Sequence, residues 1–434
     1  MSNKPKGKND VAWEKLFEKF DILNQVDMHK NFIITADQIK EFREPRLMVK
    51  FDHKINLPQI FDKNKLSILP LTRGSYTISH YETYKQFESL GNSITQAKLP
   101  DFLESLNSEN ISSETIAINS AIASGILNDF LNEEVLYATV SGRMGSDKFN
   151  FSIRNTKTDN LSNINVSNSQ IEIDAAYEGE NSLALLEAKI DISDDFLIRQ
   201  LYYPYRLWST RINKPVRPIF LVYSNGVYNL YEYTFQDKML YNSLELVQHK
   251  NYSIADYEIT ILDLEDLIKS NDLIEEPEIP FPQANNFNRI INLCELLLNG
   301  SLTREDVTNE YAFDIRQTNY YTDAARYLGL IDKIRFNGEI TYELTSLGKI
   351  IMNSTFKKRQ LELCKCILKH FVFKKIFILF LEHGNLPDKH KIVEIMKESN
   401  LNDINEDSTY YRRASTISGW LCWMIDLINE NYNI

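Results

Sequence analysis

Cysteine is scarce in this chain: Cys294, Cys364, Cys366 and Cys422 are the only four among 434 residues. Four are too few for a disulfide scaffold, and Cys364 and Cys366 stand too close together for a zinc motif. With few histidines nearby, all four are expected to be reduced packing residues. Long apolar runs are also missing. The most apolar segment, Cys366 to Leu381, is interrupted by Lys369, His370, Lys374 and Lys375, so no membrane span is expected. No apolar stretch of a secretory signal follows the polar start, Met1 to Asp10, and a cytoplasmic protein is expected. Nor is there an excess of positive charge, since the net formal charge is −12. That argues against a histone-like coat of nucleic acid, but leaves room for a locally basic surface. The composition, 43% hydrophobic and 25% charged, is that of a folded chain, and the length suggests about two to four domains.

What is present is most informative between residues 171 and 190. Ile171-Glu172-Ile173-Asp174 and Leu183-Ala184-Leu185-Leu186-Glu187-Ala188-Lys189-Ile190 read as strands. Tyr177 to Ser182 is turn-like and can fold them into a hairpin. Side chains alternate along a strand, so Glu187 and Lys189 share a face, as do Glu172 and Asp174. Two carboxylates make a hard-oxygen site for Mg²⁺, and a lysine beside them can position a water. Burying such a trio without a role would be costly. A second acid-x-Lys triplet, Asp52-His53-Lys54, has no apolar strand before it and ranks well below.

The spacing of Asp174 and Glu187-Ala188-Lys189 resembles the PD-(D/E)XK nuclease motif, with Ile173 where the family name has Pro. The chain as a whole resembles a type II restriction endonuclease of that superfamily. The surroundings agree. A helix is predicted over Ile116–Leu131, a strand over Val135–Val140 and a helix over Asp194–Ile212. Strands follow over Val216–Tyr223 and Val227–Phe235, joined at Ser224-Asn225-Gly226. The resemblance implies an α/β nuclease core, a central mixed sheet flanked by helices. It implies Asp174 and Glu187 as Mg²⁺ ligands with the Ala188 carbonyl, and Lys189 orienting the attacking water. The ends left would be 5′-phosphate and 3′-hydroxyl. Gln200 is a candidate for the water or a phosphate, and Glu133, Glu134 or Glu172 for a further acidic ligand. One site cuts one strand, so a homodimer is expected on double-stranded DNA, with a companion methyltransferase protecting host DNA.

The second signal lies further on. Phe287–Leu298 is an amphipathic helix, Thr303 to Asp306 the capped start of another, and Arg316 to Leu328 a third, ended by Gly329. Ile334–Phe336 and Ile340–Leu344 around Asn337-Gly338 read as a hairpin. Three helices and a hairpin resemble a winged helix, in a mainly helical C-terminal region. Such modules read base edges from the N-terminal end of the later helix. Arg316, Gln317, Thr318, Asn319, Tyr320 and Arg326 are therefore DNA-binding candidates. Winged helices also mediate protein contacts, and that alternative stays open.

The blocks expected are an N-terminal region (1–95), DNA-contacting or bracing, a nuclease domain (96–275) and an acidic, Pro-rich linker (276–284), extended and unpacked. A winged-helix domain (285–355) and a helical domain (356–434) follow. In the last, Arg412 and Arg413 stand among Ser, Thr and Tyr as phosphate donors of a second helix-turn-helix-like unit, or else Trp420 and Trp423 form the core of a packing domain. Further basic clusters are Lys357-Lys358-Arg359 and Arg199, Arg206 and Arg211, each of which can equally be a solvated helix face. Two other functions remain open. One is a structure-specific or methylation-dependent nuclease; the other is a DNA-binding regulator with a degenerate nuclease core.

Overall fold

The computed structural model describes residues 6–429 except 89–90, 92, 256–257, 310–312, 314, 337, 400 and 405. Asn337 of the expected Asn-Gly turn therefore lies outside the described residues. The chain begins with a small module of helices α1 (Lys8–Lys19), α2 (Ile22–His29), α3 (Ala36–Lys40), α4 (Pro45–Val49) and α5 (Gln59–Asn64). They pack with strands β1 (Phe32–Thr35), β2 (Ser67–Thr72) and β3 (Ser75–Ser79), paired in the order β1-β3-β2. Thr35 caps α3, accepting the N–H of Gln38, and Pro45 starts α4 where no N–H is needed. Trp13 and Phe61 meet edge to face at 4.7 Å in its separate core.

Two short strands, β4 (Tyr84–Gln86) and β5 (Ile94–Gln96), lead into the central block. Its helices are α6 (Glu114–Ala123), α7 (Ile126–Leu131) and α8 (Arg199–Arg211). Its strands are β6 (Tyr137–Gly145), β7 (Lys148–Arg154), β8 (Leu161–Ser167), β9 (Gln170–Glu178), β10 (Leu183–Lys189), β11 (Asp195–Leu197), β12 (Val216–Ser224), β13 (Val227–Phe235) and β14 (Leu244–Ser253). Seven of these strands form one sheet in the order β5-β14-β13-β12-β10-β9-β6. The sheet is mixed: β10 runs parallel to β12, and β14 to β5, while the other pairs are antiparallel. Since β5 is already one of its strands, the sheet begins before the boundary expected at residue 96. The single helix expected over Ile116–Leu131 is two, broken at Gly125, whose positive φ no helix accommodates.

Alternation along β12 sorts the packing. Phe220 and Val222 join Leu201, Tyr202 and Leu207 of α8. Ile219 and Leu221 join Ala117 and Ile118 of α6, together with Phe130 of α7. The sheet is thus covered by helices on both faces, which suits the largely apolar strands β10 and β12 at its centre. The hairpin β7–β8, not anticipated from the sequence, pads the α8 side through Phe151, Ile153 and Ile164.

After α9 (Ile261–Ser270) the chain is extended up to α10 (Phe287–Leu297). This stretch was expected to be unpacked, but Phe281 is buried, its ring 5.6 Å from that of Tyr327. An aromatic residue in a Pro-rich connector gains more from burial than from solvent. Next come β15 (Leu302–Thr303), α11 (Arg304–Asn309), α12 (Ile315–Tyr327), β16 (Ile331–Phe336), β17 (Glu339–Leu344) and α13 (Ser346–Met352), with strand order β15-β17-β16. The expected helices and hairpin are all present. The C-terminal helices are α14 (Phe356–Leu368), α15 (Phe371–His383), α16 (Lys389–Lys397) and α17 (Asp407–Asn429). Trp420 and Trp423 of α17 pack on Phe287 of α10. One apolar core therefore joins blocks 285–355 and 356–434, which were expected to be separate. Among the described residues, no helix is long and apolar enough to cross a membrane.

A candidate active site at the end of strand β10

Strand β10 lies between β9 and β12 and carries Glu187 and Lys189 at its C-terminal end. Leu183 and Leu185, on the same face by alternation, are buried against Trp208 and Ile212. The apolar part of that face is thus covered, and its polar continuation opens into a cleft of about 1170 Å³. Asp174 reaches the cleft from β9 through an irregularity. Between the pairs Val140↔Ala176 and Gly142↔Ile173, β9 has one residue more than β6. Such a bulge re-aims a side chain. The β9–β10 ladder ends at Leu186↔Ala175, and beyond it Asp174 Oδ2 accepts the Ala188 N–H at 2.8 Å.

Four side chains converge on this point. Lys189 Nζ donates to Glu187 Oε1 at 2.6 Å and to the Ala188 carbonyl at 2.9 Å. Gln200 Nε2, in the first turn of α8, donates to the same Glu187 oxygen at 2.6 Å. Gln200 Oε1 is buried without a hydrogen-bond partner among the described residues. The fourth is Glu114, the first residue of α6 after its cap Ser113, 3.5 Å from Lys189 Nζ. Burial, only partly offset by Lys189, pushes the Glu187 carboxyl up to about 8. Burial also opposes charge on Lys189, but Glu187, Glu114, Asp52 and Asp174 outweigh it and hold its pKa well above the lysine range. Glu114 is raised by burial, with Lys189 pulling the other way.

Of the further acidic ligands considered, none sits here as expected. Glu133 lies at the opposite end of the hairpin, accepting from Asn181 N and Ser182 Oγ at 3.2 and 3.0 Å. Glu134 caps no site, its carbonyl accepting from Asn128. Glu172 lines the cleft but pairs with Arg143 at 3.0 Å. Glu114 was missed because one acid at a helix start looks like an ordinary dipole partner.

The low-ranked triplet also comes to the cleft. Asp52 and His53 line it, fastened to β11 where Leu197 N donates to the Asp52 carbonyl at 3.0 Å. His53 is 3% exposed, with Nε2 3.2 Å from Asp191. Burial lowers its pKa, yet Asp191 and the Asp195 carbonyl outweigh this and raise it. Arg199 faces the same space and makes no ion pair among the described residues. Among those residues, no group of three or more His, Cys, Asp or Glu side chains is arranged to hold a metal. The oxygen donors at hand are two carboxylates and a carbonyl.

The expected DNA-contacting residues divide. On α12, Arg316 is exposed and Gln317, Asn319 and Tyr320 are half-buried. Thr318 is wholly buried, its hydroxyl 2.9 Å from that of Thr308, so it packs the module instead of reaching a base. Arg326 pairs with Asp323 one turn away at 2.8 Å. Arg412 is exposed, but Arg413 is 7% exposed and donates to Gln283 Oε1 at 2.6 Å, bracing the connector. Arg206 and Arg359, in the other basic clusters, are buried too, donating to the carbonyls of Asn150 and Glu109. A guanidinium buried among carbonyls is a structural brace, a distinction that composition does not make.

Three family models match the chain, each described only as a domain of unknown function: DUF6996 over residues 10–78, DUF6997 over 79–253 and DUF7226 over 289–429. Asp174, Glu187, Lys189, Gln200 and Glu114 all fall within the second, Asp52 and His53 within the first. No curated protein matches the chain, and no solved structure does.

Proposed function

We propose that this protein is a Mg²⁺-dependent endonuclease of the PD-(D/E)XK type, cutting double-stranded DNA at specific sequences in the manner of a type II restriction enzyme. The observation that carries the reading is the meeting of Asp174, Glu187 and Lys189 at the open end of a covered sheet, tied by the Asp174–Ala188 and Lys189–Glu187 hydrogen bonds. The donor set suits the ion. Asp174, Glu187 and the Ala188 carbonyl are hard oxygens. Glu187, pushed up to about 8 by burial that Lys189 only partly offsets, would be drawn to its ionised form by a bound cation. The unpartnered Gln200 Oε1 leaves an acceptor for a water at the same place. When bound, the ion would polarise the phosphate and lower the pKa of water.

The chain's own part follows from its geometry. Asp174 and Glu187 supply negative charge, Asp174 held by the Ala188 N–H. Lys189, kept charged by its carboxylates, orients the attacking water and offsets charge growing on phosphorus. Gln200 fixes the Glu187 carboxylate and accepts from the water. The helices and hairpin of residues 287–352 follow the winged-helix order, and Arg316, Gln317, Asn319 and Tyr320 are the base-reading candidates on α12. Arg412 remains a candidate for backbone phosphate. Cutting both strands takes two such sites, hence a homodimer on DNA, and host protection would require a companion methyltransferase. The test is incubation of unmethylated and methylated phage DNA with Mg²⁺ or EDTA, for wild type and Lys189→Ala. Discrete Mg²⁺-dependent fragments lost in the variant support the proposal; no fragments on either DNA would sink it.

A further inference from the structure

The cleft is also lined by Lys8, Arg43 and Arg46 of the N-terminal module, and by Glu305 of α11. The Glu305 carboxylate bridges two of these cations, with Oε1 2.8 Å from Arg43 Nη2 and Oε2 2.6 Å from Lys8 Nζ. Arg43 is set for this by Asn9, whose Oδ1 accepts from its other terminal nitrogen at 2.8 Å. Lys8 also lies 3.5 Å from Glu339 of β17. Arg46 is exposed to the cleft and pairs with no acid among the described residues. Asn56 Nδ2 donates to the Thr308 carbonyl at 2.8 Å, closing the same seam between the first module and the winged helix.

We propose that Lys8, Arg43 and Arg46 form a binding site for a backbone phosphodiester, and that Glu305 occupies it in the absence of DNA as an internal substitute for the phosphate. The inference rests on the nucleic-acid reading above and adds where the backbone is gripped. Two oxygens of one anion, one on a guanidinium and one on an ammonium, reproduce how arginine and lysine hold a phosphate. Arg46, without an acidic partner among the described residues, meets the backbone first, and a phosphate then displaces the Glu305 carboxylate from Lys8 and Arg43. Glu305 exchanges with phosphate, so weak, non-specific DNA is resisted.

The test is binding of a fluorescein-labelled DNA duplex, read by anisotropy in EDTA over a range of salt concentrations, with the full-length protein. Glu305→Gln keeps the size and polarity of a half-buried side chain while freeing both cations. It is expected to tighten binding about tenfold. Lys8→Ala and Arg46→Ala are expected to weaken binding and each to lower the salt slope by about 1. Unchanged or weaker binding by Glu305→Gln, or an unchanged salt slope in both alanine variants, overturns the site. A gain in binding cannot come from misfolding, so the first result is decisive. Because EDTA removes cleavage from the readout, the site stands or falls separately from the nuclease reading: tight binding without Mg²⁺-dependent cutting would reject only the latter.

Discussion

Asp174 and Ala188 are joined by one hydrogen bond, carboxylate to main-chain N–H at 2.8 Å, where the β9–β10 ladder has just ended. That bond replaces the next rung of the sheet and sets one candidate ligand against the backbone that carries the other. Asp174→Asn retains an oxygen to accept this N–H and loses only the charge. It is expected to lower cleavage by about two to three orders of magnitude while leaving the unfolding midpoint nearly unchanged. Cleavage near the wild-type rate would remove Asp174 from the chemistry.

Glu187 gives a stability prediction with a definite sign. Its folded pKa, about 8, stands above the unfolded value of about 4.3. The folded state therefore holds the proton more tightly, and stability falls as pH rises between those values. Glu187→Gln removes this loss, so in EDTA above pH 8 the variant should melt higher than wild type, although it is expected not to cut. Added Mg²⁺ should raise the melting temperature of wild type and not of the variant. The calorimetric comparison fails the idea if wild type melts higher in EDTA.

His53 has a dependence of the same sign in a higher pH range. With its folded pKa raised by Asp191, it contributes stability fully below its unfolded pKa of about 6.5 and loses it as pH rises through the folded value. Urea unfolding on either side of that range should show wild type losing stability with rising pH relative to Asp191→Asn. Parallel curves for the two proteins would show that the pair does not matter.

The far end of the β9–β10 hairpin can be tested through packing. A Cβ on Gly179 would stand 2.5 Å from Cδ of Glu133. Glu133 is buried and accepts three hydrogen bonds from Asn181 and Ser182. Gly179→Ala must displace it, which is expected to cost about 1–3 kcal/mol in chemical denaturation. Glu133→Ala should remove most of the difference between glycine and alanine at 179.

Gln200 is expected to act by positioning. Gln200→Ala should lower kcat about tenfold with little change in DNA affinity and shift the pH profile, because Glu187 loses a donor to its carboxylate. An unchanged profile would reduce Gln200 to packing.

Period-two alternation and a turn-like insert were enough to place β9, β10 and the shared face of Glu187 and Lys189, because these are local properties of a strand. The helix–hairpin order of residues 287–352 was legible for the same reason, through caps and helical periodicity. The tertiary structure decided the rest. A one-residue bulge, invisible without the partner strand, aims Asp174. Glu114, Asp52 and His53 are distant in sequence from Glu187 and meet its cleft only after helix and module docking. Burial separates arginines of one composition into braces such as Arg206 and Arg413 and cleft-facing cations such as Arg46 and Arg199. Patterning along a chain reports what each segment needs to cover; which segment covers it, and which charges are then left facing one another, depends on contacts between residues far apart in sequence.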